Sequence, residues 1–162
     1  MQRTAKKLES CKNFNEVFEI VKYTIEKSLG KHRAGLTLVL AELPNYVGAY
    51  HIMGSNIIVM NGTILNAVKA LAKSKAELNS FIFSILSHEY LHSIGYTDER
   101  DVRPLVRKVS VENFGENHQT VKLASADLFT LYPDLKMLGL GRTGKDFTII
   151  KEFDKSSMPY IG

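Results

Sequence analysis

Residues 88 to 92 read His88-Glu89-Tyr90-Leu91-His92, two imidazoles four positions apart with a carboxylate between them. On an α-helix, side chains at i and i+4 stack on one face, so both rings can reach one metal ion at about 2.0 to 2.1 Å. Glu89 is rotated by about 100° from His88, which sets its carboxylate beside such a metal rather than on it, with a water between them. Tyr90 and Leu91 point elsewhere. The chemistry this spacing suits is hydrolysis: zinc brings the pKa of its water from 15.7 toward about 7, and Glu89 takes the proton as general base while the water attacks a carbonyl. The H-E-x-x-H pattern carries that meaning only where it lies on a helix.

The surrounding residues predict that helix. Leu78, Phe81, Ile82, Ile85, Leu86 and Leu91 recur at three- and four-residue spacing over about Ala76 to Ile94, and Gly95 supplies a stop. Upstream, the same spacing predicts a helix from about Glu16 to Leu29, capped by Asn15 and ended by Gly30, and a shorter one from Ile64 to Ala72. Strands are expected at Leu36 to Leu40, at about Gly48 to Met53 and at Asn56 to Met60, with Asn61-Gly62 closing the last. Beyond the motif lie a helix from about Val102 to Asn113, a short segment around Ala124 to Leu131 and a less regular tail. Residues 1–162 thus read as a single α+β domain, a small mixed sheet packed on a long active-site helix with further helices around it.

A catalytic zinc takes three protein ligands and keeps one position for water, so a third donor is needed. Reading on from the motif, His92-Ser93-Ile94-Gly95-Tyr96-Thr97-Asp98 completes a pattern that resembles the extended metzincin motif H-E-x-x-H-x-x-G-x-x-H/D, with aspartate last as in the snapalysin branch. The resemblance implies a zincin-like fold, peptidase activity and Asp98 as third ligand, and Gly95 permits the sharp turn that this needs. Asp98 can instead cap the next helix, but that would put Pro104 six residues inside it, so Asp101 is the better cap. Alternatives stay open: Glu112, 112 − 92 = 20 residues past His92, would complete a gluzincin-like site, and His118 and Glu99 are further candidates. The tail Ser156-Ser157-Met158-Pro159-Tyr160 is similar to the methionine turn that astacins and serralysins write as Ser-x-Met-x-Tyr. That likeness implies Met158 beneath the metal and Tyr160 beside it.

Composition narrows the other classes. The single cysteine, Cys11, excludes an intramolecular disulfide and a thiolate cluster; it reads as a small buried hydrophobe, with a zinc-blocking role in a latent precursor as the alternative. His32 and His51 have no partner at ligand spacing and are assigned no function. No apolar run is long enough to span a membrane and no signal peptide is seen, so a cytoplasmic setting is expected. The net charge of +4 is spread along the chain, without the basic stripe or aromatic platforms that nucleic-acid binding uses. The expected function is a zinc-dependent endopeptidase acting on a peptide or protein substrate, which pairs as an extra strand with the edge of Gly48 to Met53 or Asn56 to Met60. The alternatives are a non-catalytic zinc-binding regulatory or interaction module, against which the intact Glu89 argues, and a latent peptidase.

Overall fold

The computed structural model describes residues 1–154. Its centre is a helix of 20 residues, α4 (Lys75–Ile94). Ser74 caps the start by accepting the Glu77 N–H at 3.1 Å, and the serine-to-glutamate spacing is that of a capping box. Phe83, Leu86, Tyr90 and Leu91 are fully enclosed, because α4 is touched on different sides by α1 (Gln2–Glu9), α2 (Phe14–Leu29), β2 (Ala49–His51), α5 (Glu99–Phe114) and α6 (Gln119–Ser125). A helix packed on so many sides needs apolar residues beyond a single stripe.

The sheet is mixed and four-stranded, in the order β2-β3-β1-β4, with β1 at Thr37–Ala41, β3 at Ile57–Asn61 and β4 at Phe147–Ile149. β1 and β3 run parallel, Leu38 opposite Ile58, and both of those side chains are buried. β2 folds back antiparallel on β3 as one edge and β4 lies antiparallel to β1 as the other. Asn61 ends β3 and caps α3 (Gly62–Leu71), its side-chain oxygen accepting the N–H groups of Thr63 and Ile64. After α6, a single helical turn α7 (Leu128–Leu131) and a 3₁₀ turn (Pro133–Leu138) lead back to β4. The α+β class and the small mixed sheet against the long helix are as the apolar patterning predicts. Among the described residues, no helix is long and apolar enough to cross a membrane.

Several local expectations are corrected. α2 starts at Phe14 and is capped by Asn13, not Asn15. α1 was not foreseen, because its buried face is only Ala5 and Leu8 among charged residues. β4 was missed because all three of its side chains are exposed, leaving no alternation to read. α5 begins at Glu99 with Asp98 as its cap, so Pro104 does lie inside a helix. The fold tolerates this because Pro104 sits on the solvent face, where the carbonyl that lacks its N–H partner can be hydrated.

One buried ion pair ties the chain's later part to its first helices. Lys22 Nζ lies 2.6 Å from Asp154 Oδ1 with neither side chain accessible, and Lys22 also stands 2.9 Å from Glu19. Asp154 Oδ2 accepts the N–H groups of Gly35 and Leu36 at 2.7 and 3.0 Å, and the neighbouring Phe153 stacks on Phe18. Removing one partner of such a pair leaves an uncompensated buried charge. Asp154→Ala is therefore expected to lower the unfolding free energy by about 3 kcal/mol in urea titrations. A loss within about 0.5 kcal/mol, the ordinary range for a surface change, would show the pair to be idle.

Candidate metal centre

The site forms where α4 stops. Gly95, at φ 121°, takes a backbone conformation that side chains disfavour; its N–H donates to His92 O and the Tyr96 N–H to Leu91 O, each at 3.1 Å. Three residues later Asp98 opens α5, its carboxylate accepting the Arg100 N–H at 2.9 Å and pairing with the Arg100 guanidinium. Glu99 is then the first residue of α5, in the turn where a helix dipole favours a carboxylate. Its Oε1 lies 2.9 Å from His88 Nε2 and 2.5 Å from His92 Nε2.

One donor atom from each of His88, His92 and Glu99 lies within 4.8 Å of the other two. Two imidazoles and a carboxylate are a donor set that zinc accepts, and tetrahedral coordination at about 2.0 to 2.1 Å separates donors by roughly 3.3 Å. Glu99 Oε1 stands closer than that to each imidazole nitrogen and has to draw back by less than about 1 Å to leave room for an ion of that size. His92 is already oriented for it: Nδ1 faces the Tyr96 carbonyl oxygen at 2.8 Å, so Nδ1 carries the proton and donates, leaving the Nε2 lone pair for a ligand. Burial holds His88 below the ordinary imidazole value, against the pull of Glu99, which favours the neutral ring that metal binding needs. Burial also works to raise the Glu99 carboxyl, but the two histidines outweigh it and keep it below its ordinary value.

Glu89 stands apart from the three donors and is 6% exposed. Burial pushes its carboxyl up to about 7; His92 draws it back, Glu99 adds to the rise, and the His51 N–H donates to it and also draws it back. The β2–β3 register explains that last contact. Tyr50 stands opposite Val59, flanked by the Asn61 N–H to Gly48 O and Ile52 N–H to Ile57 O bonds, so the main-chain groups of Ala49 and His51 face away from β3. The His51 ring is used otherwise, with Nε2 2.8 Å from Ser55 O in the β2–β3 turn.

β2 and α4 thus form one wall of an open cleft of about 840 Å³. His88, Glu89, His92 and Glu99 line it, and Val106, Leu123, Leu128 and Phe129 make its apolar opposite side. Arg33 braces the end of α4, donating to Ser93 O at 2.7 Å and to Ser55 O at 3.0 Å. The fully buried Tyr90 donates its hydroxyl proton to Arg33 O at 2.9 Å.

The structure therefore brings His88 and His92 together, sets Glu89 beside them and joins them with Glu99, whereas Asp98, favoured from the sequence, is occupied by Arg100. Arg100 holds the Asp98 carboxyl below its ordinary value through its side chain first and its N–H second. Glu112 is exposed and lies 3.6 Å from Lys108. His118 caps α6 and stacks on Phe114, and Cys11 is buried beside the N-terminal half of α4, where Asn79 donates to its carbonyl. Met158 and Tyr160 lie outside the described residues. No residue pattern pointed to the Tyr96 carbonyl or the His51 N–H, since both act through the backbone. No protein-family model, curated protein or solved structure matches the chain.

The raised Glu89 carboxyl has a measurable effect in metal-stripped protein. Between its ordinary 4.5 and about 7, the folded chain keeps a proton that the unfolded chain has lost, so stability falls as pH rises through that window. Glu89→Gln cannot ionise and escapes the fall. The Tm of the variant minus that of wild type is expected to grow from pH 4.5 to 7.5; a constant difference would mean that Glu89 ionises inside the fold as it does in water.

Proposed function

We propose that the protein is a zinc-dependent endopeptidase that resembles zincins, with His88, His92 and Glu99 as ligands and Glu89 as general base. The observation that carries this reading is the convergence of three donor atoms at the end of a helix whose next carboxylate, Glu89, is buried against the same cleft. Zinc, when bound there, supplies a Lewis acid and an acidified water. Glu89 accepts the proton of the attacking water on its carboxyl oxygen and returns it to the amine nitrogen that leaves. Burial raises this carboxyl in the metal-free protein, and a dication beside it would draw it back toward the ionised form that a general base needs. Ala49, facing outward from the edge strand, offers a C=O and an N–H to an extended peptide, and that pairing holds the substrate main chain along the cleft. A buried carboxylate poised beside the donors favours catalysis over a metal site that only shapes an interface. The reading includes a peptide or protein substrate and a cytoplasmic setting.

Metal content and cleavage of a quenched peptide library test it together. Wild type is expected to carry about one zinc per chain and to cleave. Glu99→Ala and His92→Ala should each lose the metal, whereas Asp98→Ala should keep it while loosening the start of α5. Glu89→Gln should retain zinc and lose at least about 10²-fold in kcat/KM. Zinc bound equally by Glu99→Ala and wild type would remove Glu99 from the ligand set, and a metal-free, inactive wild type would sink the peptidase.

A further inference from the structure

Among the described residues, one cation lining the cleft has no carboxylate partner. Arg103 lies on α5 one turn beyond Glu99 and faces the same cleft. Glutamate four residues ahead of arginine is the favoured order for an ion pair along a helix. Here the partner is drawn away, because Glu99 turns to His88 and His92 instead. The other nearby arginines are engaged: Arg100 by Asp98, Arg107 at 4.0 Å from Glu116, and Arg33 by the Ser93 and Ser55 carbonyls. Among the described residues, no carboxylate pairs with Arg103. Asp127 also lines the cleft, at the N-terminus of α7.

The charge balance follows from the ligand set. A dication held by two neutral imidazoles and one carboxylate keeps one positive charge, the ionised Glu89 base offsets it, and Arg103 then leaves this part of the cleft with a surplus positive charge. A planar guanidinium with five donors matches a carboxylate in a two-point contact. Resting on the peptidase reading above, we propose that Arg103 is a specificity-determining residue that binds a carboxylate of the substrate near the scissile bond. That carboxylate is either an acidic side chain, as an endopeptidase would meet it, or the substrate's own C-terminus, which would narrow the peptidase to one that trims chain ends.

Zinc-loaded Glu89→Gln protein, which holds peptide without cutting it, separates binding from turnover. The probes are fluorescein-labelled peptides built on Ala-Phe-Leu-Ala, paired as Glu against Gln at each flanking position and as free acid against C-terminal amide. Fluorescence polarisation is expected to give at least one pair whose carboxylate member binds about tenfold tighter. A Glu-over-Gln preference names an acidic side chain, and an acid-over-amide preference names the C-terminus. Adding Arg103→Gln should shrink that preference to within about twofold, Arg103→Lys should keep part of it, and Arg107→Gln, on the next turn, should leave it intact. The inference is overturned if no pair differs, if no probe binds, or if the preference survives Arg103→Gln. Wild-type cleavage without any carboxylate preference would leave the peptidase standing and remove Arg103. An Arg103-dependent preference in a wild-type protein that cuts nothing would do the reverse.

Discussion

The site depends on how α4 stops. The helix must end within one turn of His92, reverse, and restart so that the first residue of α5 looks back at the two imidazoles. Gly95 allows the reversal, the Tyr96 N–H closes it onto Leu91, and the same residue's carbonyl fixes the His92 ring. Asp98 then settles which carboxylate arrives. By spending its oxygens on Arg100 it becomes the cap, and capping puts Glu99 at the first helical position. Burial of Val102, Val106 and Val109 keeps α5 at the angle that this requires.

The opposite wall is set by the sheet. Because β2 is an edge strand and alternate residues turn their main-chain groups outward, His51 can give its N–H to Glu89 while its ring secures the turn to β3. Burial raises the Glu89 carboxyl and the His51 N–H draws it partly back, so the edge strand moderates what enclosure alone would do. Arg33 and Tyr90 bind the segment after α2 to the last turns of α4, so the helix end, the β2–β3 turn and the entry to β1 are tied together by hydrogen bonds.

The motif and the helix beneath it were legible in the sequence because 3.6-residue periodicity and i, i+4 spacing are local properties. So were β1 and β3, whose apolar runs are short and bounded by turn residues. Which carboxylate joins the two imidazoles was not, because two adjacent ones, Asp98 and Glu99, differ only in which the α5 N-terminus claims. Pro104 misdirected the choice, since its cost depends on whether its turn faces water, which a sequence does not record. α1 and β4 escaped for the same kind of reason. Each is held by tertiary contact, with Asn79 reaching the carbonyls of Leu8 and Cys11, and β1 pairing with β4.

All three proposed donors fall within the twelve residues 88–99 (99 − 88 + 1), and the last two are separated by one short turn. A loop that small closes at little entropic cost even in a disordered chain. If these donors bind zinc as proposed, the cluster keeps part of that affinity before the domain has folded. Ligand stabilises a fold only by the difference between its affinities for the two states, so zinc should raise the melting point less than its affinity alone suggests. The other side of that bargain is kinetic. On the proposed ligand set, a nascent chain would take up an ion once α4 and the start of α5 have emerged, and the rest of the domain would assemble around the filled site.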